Sequence, residues 1–132
     1  TAADVNVQIN ASVTGVCQTI TTGNVLIYFG SINATHADQS KNGTASFWCS
    51  TGVTFNVTGN NGLNFSGGNK RMKSGTTNFL PYALAFTPTT GSGTGKATPI
   101  NLSITASLKK TDVEVAPIAA NYTDTVVLTI TP

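Results

Sequence analysis

Charge is what this chain has least of. Asp, Glu, Lys and Arg make up 9% of its 132 residues, against about a quarter in an average soluble domain. Seven Lys/Arg and five Asp/Glu leave a net charge of +2, too weak a field to gather a polyanion. The basic residues are scattered except at Lys70-Arg71-Met72-Lys73 and Lys109-Lys110, so nucleic acid is not an expected partner. One histidine and two cysteines fall short of the roughly four ligands of a structural zinc site. A nucleophilic triad would have to use His36 with Asp38 and Ser40 of the same polar loop, where near neighbours point in unrelated directions. The carboxylates Asp4, Asp38, Asp112, Glu114 and Asp124 are spread out, and the one close pair, Asp112 and Glu114, lacks a third acid for calcium. Gly91-Ser92-Gly93-Thr94-Gly95 has no following Lys-Ser/Thr, so it is a linker before it is a phosphate loop. An enzyme is therefore not expected, nor a metal, a cofactor or a small-molecule substrate. The longest apolar runs, Val25 to Phe29 and Val126 to Ile130, are far short of the eighteen or so residues needed to cross a bilayer.

In place of charge the chain carries hydroxyls and amides: Thr, Ser and Asn together supply roughly a third of it. Its length suits one domain with one core. The sequence opens on Thr1-Ala2-Ala3 without a Met or a basic-then-apolar leader, which reads as a mature exported chain. In that setting Cys17 and Cys49 are expected to form one disulfide. Trp48, directly before Cys49 in an apolar run, is expected in the core near that bond. A carbohydrate-binding module would instead need an exposed aromatic platform.

Val, Ile, Thr, Phe and Tyr recur in short runs separated by Gly, Asn and Ser, and no segment keeps apolar residues at helical spacing. An all-β sandwich follows. Asp4 to Thr14 alternates without a break, placing Val5, Val7, Ile9, Ala11 and Val13 on one face of a strand. Further strands are predicted over 16–21, 24–29, 45–49 and 53–58, with turns at Asn42-Gly43 and Gly59-Asn60-Asn61-Gly62. Residues 62–78 read as broad loops with a short irregular strand or two. A strand over 79–86 follows, then a flexible hairpin loop over 87–96. A second five-point stripe runs through Ile100, Leu102, Ile104, Ala106 and Leu108. Residues 113–120 read as an awkward bend, and 123–131 as the closing strand, with Val126, Leu128 and Ile130 on one face. Pro132 follows at once, so that strand's outer edge is expected to need a cover. The alternating segment 4–14 could supply it. Within one molecule this makes an ordinary sandwich; between molecules it is strand addition, a head-to-tail contact that propagates into a fibre.

The spacing of Cys17, Leu26, Phe29-Gly30, Cys49 and Val53, then Lys70-Arg71-Met72 and Leu80, Tyr82, Leu84, and above all the closing Tyr122-Thr123-Asp124-Thr125-Val126-Val127-Leu128-Thr129-Ile130, resembles the spore coat protein U family. That family includes major pilins of archaic chaperone-usher pili. The resemblance implies an incomplete immunoglobulin-like β-sandwich over 15–132, completed by donor-strand exchange, with residues 1–14 as the donor strand for an adjacent subunit. Val5, Val7, Ile9, Ala11 and Val13 would be the donor knobs, Ala11 having the shallowest pocket, and Val126, Leu128 and Ile130 the acceptor edge. Burial of such a stripe contributes on the order of 5 to 10 kcal/mol gross. The implied partners are identical or homologous pilin subunits, a periplasmic chaperone and an outer-membrane usher. The implied place is a surface fimbrium of a Gram-negative bacterium, and the role adhesion and biofilm formation without turnover. A self-complemented secreted or spore-coat sandwich is the near alternative, and a carbohydrate-binding module the alternative of another class.

Overall fold

The computed structural model describes all 132 residues. Two antiparallel sheets face each other. The first has five strands in the order β1 (Cys17–Thr19), β2 (Gln39–Cys49), β7 (Ile100–Leu108), β5 (Asn78–Thr87) and β4 (Lys70–Ser74). The second has three, β6 (Thr90–Ser92), β3 (Thr54–Gly59) and β8 (Leu128–Thr131). One short helix, α1 (Lys110–Val115), links β7 to the final segment. The long pairing of β2 with β7, from Gln39 opposite Leu108 to Phe47 opposite Ile100, is the spine of the molecule.

Alternation along these strands fills the core as the sequence predicts. Leu102, Ile104, Ala106 and Leu108 are buried from β7, Phe47 and Cys49 from β2, and Phe55 and Val57 from β3. Phe47 and Phe55 meet edge-on across the sandwich with ring centroids 5.2 Å apart, a geometry that adds about 0.5–1.5 kcal/mol to the area they bury. The expected disulfide joins Cys17 of β1 to Cys49 of β2, directly opposite each other in the ladder. Past α1, the Tyr122 hydroxyl donates to the Pro117 carbonyl at 2.6 Å. A tyrosine reaching back to the backbone at this corner is a hallmark of immunoglobulin-like sandwiches.

Several local expectations are corrected. Asn42-Gly43 lies in the middle of β2, opposite Thr105 and Ile104, and is not a turn. A Cβ on Gly43 would lie 2.7 Å from Val25 Cγ1, so the glycine is there to let residues 25–27 cross the sheet. The loop over 87–96 contains β6, which pairs with β3. The bend over 113–120 begins as helix α1, one and a half turns that bury nothing. Trp48 alternates with the buried Phe47 and Cys49, so it faces outward from the first sheet, half-buried, with the Lys96 ammonium 5.9 Å from its ring centroid.

Candidate functional site

The sandwich is open along one side. Only 10 of 132 residues are buried, and the cause is visible at the second sheet, which ends at β8. Beyond β8 no strand follows, and its outer edge carries free backbone donors and acceptors. Facing it across the opening is β1, the edge of the first sheet, and between them lies a cleft of about 190 Å³ lined by Cys17, Gln18, Thr19, Leu128, Thr129 and Ile130. Leu128 and Ile130 touch the core with one side and the opening with the other. Val126 precedes the ladder of β8 and is half-buried.

Residues 24–29, read from the sequence as a strand, form no ladder; residues 22–32 make no backbone hydrogen bond at all. The alternation is nonetheless real. Val25 and Ile27 turn inward onto the core, while Leu26 and Tyr28 stand 82% and 74% exposed. Because Val25 and Ile27 cover Gly43 from inside, this extended segment lies in the layer of the second sheet. The layer thus contains two extended edges, β8 and residues 24–29, with main-chain groups of both unpaired.

The alternating segment at the start of the chain is equally unpaired. Val5, Val7, Ile9 and Val13 are 86%, 77%, 87% and 97% exposed, Ala11 is exposed with them, and residues 1–15 make no hydrogen bond to the domain. The stripe and the β8 edge are therefore not brought together within one molecule. The whole chain makes 47 backbone–backbone hydrogen bonds, where a closed domain of this length makes roughly 90. Residues 1–15 and 22–32 contribute none of them.

The approach to β8 is held by a polar clasp that sequence reading did not anticipate. Asp124 accepts hydrogen bonds from the Tyr82 hydroxyl, from Leu63 N at 2.9 Å and from the Asn64 amide. Asn60 Oδ1 accepts from Val127 N and Gly62 N, both at 3.0 Å. A Cβ on Gly62, whose φ is +74°, would strike the Asp124 carboxylate. The 60–64 loop thereby fixes residues 124–127, which have almost no ladder of their own. The only hint in the sequence was the Tyr82 and Asp124 positions in the motifs already noted.

A family model described as the Spore Coat Protein U domain matches residues 3–129. The chain belongs to the spore coat protein U domain family. Among solved structures, this U-domain protein is similar to a chain in the crystal structure of the CsuC-CsuE chaperone–tip adhesion subunit pre-assembly complex from archaic chaperone-usher Csu pili of Acinetobacter baumannii. The TM-score is 0.55 at 21% identity, over 89% of this chain and 40% of that one. This likeness is one of fold, and the U-domain chain spans well under half of that neighbour's length. No curated protein matches it in sequence.

In this U-domain protein, burial and the Asp124 carboxylate push the Tyr82 phenol well above its ordinary pKa of 10.0. A group held protonated in the fold stabilises it fully below the unfolded-state pKa, and that stability is lost as the pH rises past about 10. Urea unfolding of a Tyr82→Phe variant is accordingly expected to show a lower midpoint at neutral pH, by about 1–2 kcal/mol for the lost charge-assisted bond. It is also expected to show a shallower alkaline decline than the parent between pH 9 and 11. Parallel alkaline slopes would contradict the assignment.

Proposed function

We propose that this protein is a structural pilus subunit of the chaperone-usher type, in which residues 1–14 of one copy add as a strand to the open side of another. The observation that carries the reading is the pair of unmatched halves: a five-point apolar stripe detached from its own domain, and a core left uncovered along β8. An unpaired sheet edge beside exposed apolar surface is a template for strand addition and a liability until covered. Val5, Val7, Ile9 and Val13 would close the core over Leu128 and Ile130, with the shallower contact at Ala11. Their backbone would bond to β8 on one side and to residues 24–29 on the other.

The contact is head-to-tail, so it propagates without closing and makes a fibre. Before assembly the open side needs a temporary strand, which assigns a periplasmic chaperone as first partner and an outer-membrane usher as second. Family membership and the fold shared with a chain of a chaperone–pilus subunit complex support this choice. The reading places the fibre on the cell surface, serving adhesion and biofilm formation by mechanics and not by catalysis. Self-complementation is not favoured, because the stripe lies away from its own molecule's edge.

The test is strand addition in trans. A domain lacking residues 1–13 is titrated with a synthetic peptide of residues 1–14, and its unfolding midpoint followed. Peptide at a hundred times its Kd is expected to add about 2.7 kcal/mol, and the same peptide with Ile9→Asp to add nothing measurable. A midpoint indifferent to both peptides would sink the proposal.

A further inference from the structure

The two ends of the sandwich differ. Register places Cys17, Cys49 and Ile100 at one end, with Thr131 beside them through the 50–53 turn. Leu108, α1 and the Lys73–Thr123 bridge lie at the other. At that second end the α1 corner projects Val115, 81% exposed, and Ile118, fully exposed, from the uncharged run Val115-Ala116-Pro117-Ile118-Ala119-Ala120. The Tyr122 bond to Pro117 fixes the corner in place. Apolar side chains presented on a tethered corner are not serving their own core.

The first end shows what covers them. The chain is bound to its domain from Gly15 onward: a Cβ on Gly15 would fall 2.2 Å from Val53 Cγ2, Val16 N donates to Ser50 Oγ at 3.0 Å, and Ser50 N donates to the Val16 carbonyl at 2.9 Å. Val13, the last point of the stripe, is two residues from Gly15 and so within about 7 Å of it. Wherever the stripe of one copy finishes on another, the donor's own domain abuts that spot. If the stripe runs antiparallel to β8, the better-bonded arrangement per residue, Val13 finishes at the α1 end of the acceptor. The abutting surface, Gly15 and Val16 with Ser50, Thr51 and Gly52, is uncharged, with Val16 41% exposed. Neither of the two runs that meet carries a charge, as suits the centre of an interface.

We infer that the Val115–Ile118 corner is an inter-subunit seat, on which the Gly15–Val16 end of the next copy rests. The inference depends on the strand-addition reading and adds to it a second contact that sets the angle and stiffness between successive subunits.

The test replaces Ile118 by photoreactive benzoylphenylalanine in the full chain. Polymers are irradiated after checking that heat-labile ladders form. Crosslinks from position 118 to residues 14–16 or 50–53 of a different copy, present in polymer and absent from chaperone-bound monomer, are expected. A second arm uses Val115→Ser with Ile118→Ser, which should polymerise normally and give fibres at least twofold more flexible by persistence length in electron micrographs. Ladders with crosslinks elsewhere, or only to the chaperone, or with unchanged stiffness, overturn the seat and leave strand addition standing. Absence of ladders from the parent chain overturns both.

Discussion

A full-length chain carrying Val7→Asp and Ile9→Asp is expected to fold like its parent and to fail completely at polymerisation. Both side chains are at least three-quarters exposed in the isolated molecule, and surface substitutions away from special features stay within about ±0.5 kcal/mol. The cost falls on the contact between molecules. Each substitution removes about 1.5–3 kcal/mol of aliphatic burial and takes a carboxylate without a partner into an apolar groove, a penalty of several kcal/mol per ion. Together they exceed the on the order of 5 to 10 kcal/mol gross that the stripe supplies. The measurement is paired: thermal unfolding of the chaperone-released monomer, and unheated gel electrophoresis of assembled material, where multiples of about 14 kDa are expected for the parent and a single band for the variant. A lowered midpoint in the monomer would instead mean that the stripe folds back on its own domain in solution.

The second large effect concerns the Cys17–Cys49 bond. The cysteines are 32 residues apart, and a loop of that length constrains the unfolded chain by roughly 3–4 kcal/mol. Small domains hold about 5–15 kcal/mol in all, and one with so few fully buried residues starts near the bottom of that range. Cys17→Ala with Cys49→Ala, chosen because a serine hydroxyl at the fully buried Cys49 would lack a partner, is therefore expected to be largely unfolded on its own at 37 °C. Circular dichroism should show the loss. Because β1 forms one wall of the cleft and is tied to β2 by this bond, peptide 1–14 should restore only part of the structure. A variant as stable as the parent would show that the three ladder pairs of β1 hold it unaided.

The α1 corner at Ile118 and the Asp124 clasp both lie at the far end of the groove from the disulfide. Variants at the two ends should therefore combine additively in stability measurements, as distant sites do.

Alternation was legible wherever one face of a strand is buried and the other wet. Ile100 to Leu108 reads correctly residue by residue because its period of two has one solution, and β3 and β5 follow the same rule. The polar half of β2 was illegible, since Gln39 to Thr44 carries no apolar stripe and Asn42-Gly43 has turn chemistry. It becomes a strand because β7 offers it a full ladder and residues 25–27 need the space above Gly43. Trp48 was misplaced for want of parity: its apolar neighbours Phe47 and Cys49 suggested a core run, but only pairing decides which of three consecutive residues faces out.

The same division applies to the functional site. Composition and period alone determined that this is an all-β chain with one disulfide and two regular stripes, because those properties depend on residue type and spacing over a few positions. Which stripe lies in the core and which is left outside was decided by tertiary structure. The two are nearly indistinguishable as sequence, and only the arrangement of strands shows that Ile100 to Leu108 has neighbours on both sides while Val5 to Val13 has none. The open edge at β8, its facing segment 24–29 and the Asp124 clasp between distant loops are likewise products of topology. Each depends on groups far apart in the chain, whose meeting no local pattern encodes.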